Sequence, residues 1–428
     1  NFTSFGGNTF NGNTTFINNG TGYWRLANNA VEDFNANAVF NQLSTGALAP
    51  AYNFDCTFFG NVSALTNTMT FGAGTGKIIL DGTGNQTLSG VATIWRRGKI
   101  DKVSGTTTQN NVSITITTDM DFTSGVYTIP SPNMMIFNDN STASNEGALS
   151  FVDGVVRKIG NDVFDFPVGD NGLYAPISIT APTGVAHFFT AQYFNSNPDL
   201  VPYDVTSKDV SLTNISTCEY WILDRNAAPT SNVSVTLSWD TRSCGITDVS
   251  QLAVARWDGT QWKDHGNGGT TGTPAAGTII SSAAVTSFSP FTLASYSLIN
   301  PLPIELISFQ AVPTNSTVFL SWITASETNN DYFEIEKSTD GINWSFVAKV
   351  DGAGNSSNQL NYATEDANPF LGTSYYRLKQ TDFDGDYEYS EIKKVEFSEG
   401  DGITIYPNPS NGVFLLAGIE DSDAQIFI

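Results

Sequence analysis

Apolar and polar residues alternate over short runs along most of this 428-residue chain, and Gly, Asn or Pro interrupts the runs. "NTFNGNTTF" and "AVFNQL" near the start, "NVSITITTDMDF" further on and "YFEIEKSTDGINW" later place apolar side chains two apart, the period of a strand with one face turned inward. The early segments lack the three- and four-residue spacing of an amphipathic helix. The pattern predicts an all-β protein.

The first 150 residues also repeat. "FNGN", "FNAN" and "FFGN" put Phe10, Phe34 and Phe58 24 residues apart, Asn13, Asn37 and Asn61 keep the same spacing, and Thr21-Gly22 returns as Thr45-Gly46. A fixed period of this length marks a solenoid. Short strands joined by tight turns make it a right-handed parallel β-helix, with inward Phe stacked over Phe and Asn ladders satisfying turn backbone. The exact repeat fades after Phe71, but strand-and-turn grammar continues, so the predicted solenoid covers residues 1–150 in about six coils. Trp95, Arg96, Arg97, Pro130 and Pro132 are expected in irregular coils near its end.

Residues 151–300 change character. Asp153-Gly154, Gly160-Asn161 and Asp170-Asn171-Gly172 punctuate β-branched and aromatic runs, which predicts an antiparallel β-sandwich. "NPLPIEL" is a proline-stiffened linker. Beyond it, residues 301–398 read as about seven alternating strands with Trp322 as a buried core aromatic, the grammar of a fibronectin type III-like sandwich.

Composition narrows the function. Hydrophobic residues at 40% support globular folding, while a charged fraction of 14% suits turn-rich β structure better than long surface helices. The net charge of -23, from 42 acidic and 19 basic residues, disfavours nucleic acid and anionic membranes as partners. No run of about 18 apolar residues predicts a transmembrane helix. The chain begins at Asn1 rather than Met, which reads as a removed signal peptide or, preferably, as part of a longer protein. Cys56, Cys218 and Cys244 resemble neither a disulfide scaffold nor a zinc site. A Cys218–Cys244 disulfide is expected, because both flank strands of one domain and an oxidising route permits it; Cys56 is expected to stay free.

Three resemblances follow from these segments. The Asn/Thr/Gly-rich repeat resembles the β-helix repeats of long surface proteins from Bacteroidetes-type bacteria. "VDGVVRKIG", "FPVGDNGLYAPI" and "CEYWILDR" resemble the module that commonly follows such β-helices. "ITIYPNPSNGVFLL" resembles the start of the type A C-terminal sorting domain of the type IX secretion system, with Tyr406, Pro407, Asn408, Pro409, Asn411 and Gly412 matching its entry motif residue by residue. Physically, the two prolines fix φ and Asn411-Gly412 permits a reversal. Residues 399–428 would then be the start of a truncated sorting domain. The resemblance implies export across the outer membrane, recognition by the translocon and its shuttle protein, and a secreted or cell-surface location.

The remaining motifs favour structural roles. His187 lies in an aromatic strand and His265 in a turn, and neither a GxSxG nor an HExxH signature is present. "FGAGTGKI" departs from a phosphate loop, since Ile78 follows Lys77 where Ser or Thr should bind magnesium. Asp382, Asp384 and Asp386 alternate as in calcium loops but lack the later bidentate Glu, so they read as a hairpin turn. Trp221, Trp239, Trp257 and Trp262 offer either core burial or a sugar-stacking face. No catalytic residue, metal site or cofactor is expected. The sequence predicts a non-enzymatic, adhesin-like surface protein exported by type IX secretion, with a glycan or other surface ligand as the open partner class. The alternative is a secreted polysaccharide-binding or polysaccharide-degrading β-helix protein.

Overall fold

The structure, a computed structural model, describes the chain except at residues 1, 5, 66–68, 73, 111–112, 227–230, 244, 289, 298–299, 301–305, 315–316, 325–326, 357–359, 384–386, 398–403, 407–414 and 418–428. Strands account for 56% and helix for 2%, so the fold is all-β, and it contains a β-solenoid of about six turns. The chain divides into two units, Asn1–Leu302 and Pro303–Ile428.

The predicted 24-residue register is the observed one in the first coils. Phe10 pairs with Phe34 and Phe34 with Phe58 across parallel strands. Their rings stack at centroid distances of 4.6 and 4.9 Å, nearly coplanar at 13° and 16°. Phe16 and Phe40 form a second stack at 5.5 Å and meet the first edge-on. On the outside, Asn13 Oδ1 accepts the Asn37 N–H at 3.2 Å, Asn37 Oδ1 that of Asn61 at 2.9 Å, and Asn61 Oδ1 that of Thr87 at 2.8 Å. The repeated Phe thus fills the core while the repeated Asn serves turn backbone that the strand ladders leave unpaired.

Later coils keep the stacking but change the spacing. Phe58 pairs with Leu80, Leu80 with Ile100 and Ile100 with Phe122. The strands Thr93–Lys102 and Ile114–Ser124 run straight through what is a corner in earlier coils, with register shifts between Trp95 and Arg97 and between Ile100 and Asp101. Trp95, fully buried and stacked on Phe71 at 6.4 Å, therefore sits at a mid-stack irregularity rather than at an end.

Parallel pairing continues past residue 150. Val152 pairs with Val168, and the strand Val156–Ile159 pairs with Met135–Phe137. On its other edge Val156–Ile159 pairs antiparallel with Phe188–Phe194, and the same sheet continues through Tyr220–Arg225, Phe291–Ser295, Leu252–Trp257 and Trp262–Asp264. A five-stranded antiparallel sheet, containing Phe164–Phe166, Ile177–Ile179 and Val235–Trp239, accompanies it. One apolar cluster runs from Leu26 through Phe137 and Trp221 to Leu293. Neither the sheet nor the core breaks at the expected boundary.

In the second unit, a three-stranded sheet (Leu306–Pro313, Val318–Thr324, Leu360–Asp366) and a five-stranded sheet (including Glu327–Ser338 and Gly372–Asp382) are both antiparallel and contribute to one core. Trp322 is buried there, stacked on Tyr362 at 5.5 Å. Thr404–Tyr406 and Leu415–Ala417 form an antiparallel pair in which Tyr406 faces Leu415.

Candidate functional site

Among the described residues, chemistry-bearing side chains gather at three places in the first unit. The first is the outer face of the solenoid. Lys77 Nζ lies 3.0 Å from Asp121, Arg97 Nε 2.6 Å from Asp119, and Lys99 Nζ 2.5 Å from Asp101. Asn145 and Thr123 donate to Asp121 as well. Burial alone would raise the Asp121 pKa, but hydrogen bonds from Asn145 and Lys77 and the lysine's charge hold it below the usual range. These carboxylates already have their partners.

The second place is a hollow of about 260 Å³ bordered by Ser141, Glu146, Asp162 and Asp165. Glu146 Oε2 is buried without a hydrogen-bond partner among the described residues. Burial, with the neighbouring Asp165 charge adding to it, raises the Glu146 pKa. Two carboxyl groups in one hollow, one of them with a raised pKa, form the kind of pair that general acid–base chemistry uses.

The third is an open cleft of about 540 Å³ bordered by Tyr203, Arg256, Trp257, Asp258, Ser287 and Phe288. The strand Leu252–Trp257 is buried on both faces. Ala253, Ala255 and Trp257 pack under Tyr203, while Leu252 and Val254 enter the main core. Period two places Arg256 in the row of Leu252 and Val254, so a guanidinium ends an apolar row. Arg256 Nε donates to His265 Nε2 at 3.3 Å and Nη1 to the Trp257 carbonyl at 2.7 Å. Burial lowers its pKa, with Asp258 acting against the shift. Arg242 is equally buried at 9% exposure, but its Nε is 3.0 Å from Glu219; Arg256, also at 9%, has no carboxylate within 4.0 Å among the described residues.

Most residues singled out from sequence prove structural. Trp221, Trp239 and Trp262 are buried, and their indole N–H groups donate to the carbonyls of Ala175, Thr273 and Tyr203. The four-tryptophan sugar face is therefore not formed; Trp257 alone of the four borders the cleft. His187 is buried with Nδ1 against the Ser231 hydroxyl. The glycines of "FGAGTGKI" serve coil packing, since a Cβ on Gly76 would stand 1.9 Å from the Phe54 carbonyl oxygen. Cys56 is a buried free thiol, and burial raises its pKa well above the ordinary value. Cys218 is disulfide-bonded, whereas Cys244 lies outside the described residues. Pro407, Asn408, Pro409, Asn411 and Gly412 of the sorting motif, and Asp384 and Asp386, also lie outside them.

Arg256 was the functional candidate that the sequence did not single out. "LAVARW" reads only as a strand; the arginine's partners are His265 and the Trp257 carbonyl, and Ser287, Phe288 and Pro290 border the same cleft. No protein family matches the sequence, and no curated protein or solved structure is similar to it.

Proposed function

We propose that this protein is a non-enzymatic, adhesin-like surface protein, exported as a type IX secretion cargo and built as a right-handed β-helical stalk followed by two β-sandwich modules, the second type III-like. The observation that carries the stalk reading is the single sheet that leads from Thr9–Phe10 through the solenoid to Trp262–Asp264 over one core. A continuous sheet transmits position without a hinge, which suits displaying a terminal region away from a surface. The export part rests on the resemblance of Tyr406 to Gly412 to the sorting motif, and includes the translocon and its shuttle protein as partners. A Cys218–Cys244 disulfide in the middle region belongs to the same reading.

Residues 399 onward, completed to the native C-terminus and fused to a soluble reporter, should carry it to the surface or medium of a type IX-competent cell. Periplasmic retention, while a known type A cargo is exported normally, removes the sorting assignment.

The second reading, a secreted polysaccharide-degrading protein, is favoured by the hollow holding Glu146 and Asp165. Turnover of a polysaccharide panel that Glu146→Gln abolishes would establish it in place of the first.

A further inference from the structure

The cleft around Arg256 combines features that a packing role leaves unused. Two of the five N–H donors of a guanidinium are taken by His265 and the Trp257 carbonyl, and the remaining donors lack a protein acceptor among the described residues. A buried cation with no carboxylate at ion-pair distance among the described residues is costly, and an anionic group that enters beside it removes that cost. Around it, the half-buried Tyr203 and Phe288 border the cleft, the Phe288 ring also carrying the Arg225 guanidinium at 4.8 Å. Asp258 Oδ1 accepts from Thr260 N, Thr260 Oγ1 and Gln261 N, Oδ2 has no partner among the described residues, and the Ser287 hydroxyl lies on the same rim.

A ligand that satisfies all of these groups carries one carboxylate, several hydroxyls and an apolar face. A uronic acid ring has this combination: its carboxylate answers Arg256, its hydroxyls answer Asp258 and Ser287, and its C–H face lies on the aromatic rings. An acidic peptide fits less well. The nearest sheet edge, Trp262–Asp264, is already covered, because Trp262 N–H donates to the Ser207 carbonyl at 2.8 Å and Asp209 N–H to the Trp262 carbonyl at 2.9 Å. No backbone edge remains there for strand addition.

We propose that the cleft formed by Tyr203, Arg256, Trp257 and Phe288 binds a uronic acid residue of an acidic polysaccharide, with Arg256 anchoring its carboxylate. This deepens the adhesin-like reading by naming a ligand class. The site works by local recognition, since the chain's net charge of -23 repels polyanions at a distance. Added salt should therefore leave binding unchanged or strengthen it, the reverse of what a basic surface patch shows.

The test uses the full chain and trisaccharides of galacturonate, glucuronate and mannuronate, each compared with its methyl ester by calorimetry and by intrinsic tryptophan fluorescence. At least one acid form is expected to bind about tenfold or more tightly than its ester, the effect of one charge-assisted contact. Arg256→Gln should bring acid and ester to equal affinity, and Tyr203→Ala should weaken both. The acid-to-ester ratio in the unaltered chain needs no variant, so the proposal stays testable if Arg256→Gln fails to fold. Equal binding of acid and ester, binding of none of the six, or equal affinity for a Glu-rich peptide overturns the assignment. The measurement is made on isolated protein, so its failure leaves the export reading standing, and failed export leaves the binding result standing.

Discussion

Replacing Phe34 by Ala removes a ring that is 1% exposed and touches four others: Phe10 and Phe58 above and below, Phe16 and Phe40 edge-on at 5.9 Å. Parallel strands fixed by their ladders cannot close over the gap, so the cost should sit mid-range for buried Phe→Ala changes, about 4 kcal/mol. Phe34→Leu keeps most of the volume and loses only the ring–ring geometry, which should cost about 1–2 kcal/mol. A solenoid coil contacts chiefly its neighbours, so the loss should stay local. Hydrogen exchange read by mass spectrometry is the suitable assay. Amides in Glu32–Phe34 and Cys56–Phe58 should open almost three powers of ten more readily in Phe34→Ala, while those in Leu252–Trp257 and Phe291–Ser295 keep their protection. Uniform acceleration along the first unit, or equal cost for Ala and Leu, would refute the stacked-coil account.

Further outcomes follow from other sites. Asn37→Ala removes the acceptor of the Asn61 N–H at 2.9 Å on an exposed turn and should cost about 0.5–1 kcal/mol in a denaturant titration. Arg242→Met strands Glu219, which is fully buried and otherwise held by Tyr193 Oη at 2.9 Å, and should cost about 3–5 kcal/mol. Adding Glu219→Leu should recover much of that loss, and a double-mutant cycle checks it. Burial, and then the Arg256 charge, lower the His265 pKa, with Lys263 acting the same way and Asp264 and Asp209 opposing. A base whose pKa is depressed by folding destabilises the fold as it protonates, so this contribution is intact above the unfolded value of about 6.5 and is lost as pH falls below it. Melting temperatures measured from pH 7 to about 5 should fall less steeply in His265→Gln.

The solenoid was legible where sequence and geometry share one period. Phe10, Phe34 and Phe58 repeat because their strands are in strict register; once coil length varies, the same inward position is filled by Leu80, Ile100 and Phe122, and the period vanishes while the stack persists. The junction was not legible, because alternation in "VVRKI" shows which side chains point inward but not whether the neighbouring strand runs parallel or antiparallel. Val156–Ile159 has one neighbour of each kind. Arg256 was hidden for a related reason: its partner His265 and the cleft residues Ser287, Phe288 and Pro290 share no pattern with its own strand.

The common register of the first coils makes length a heritable unit. Loss of residues 34–57 would set Phe58 directly on Phe10 and Asn61 on Asn13, preserving both the ring stack and the amide ladder while shortening the rod by about one strand spacing, 4.8 Å. A gain or loss one residue longer or shorter would turn the inward Phe outward. Gain or loss of one whole coil can therefore lengthen or shorten the solenoid in whole steps, and selection can adjust its reach without redesigning its core.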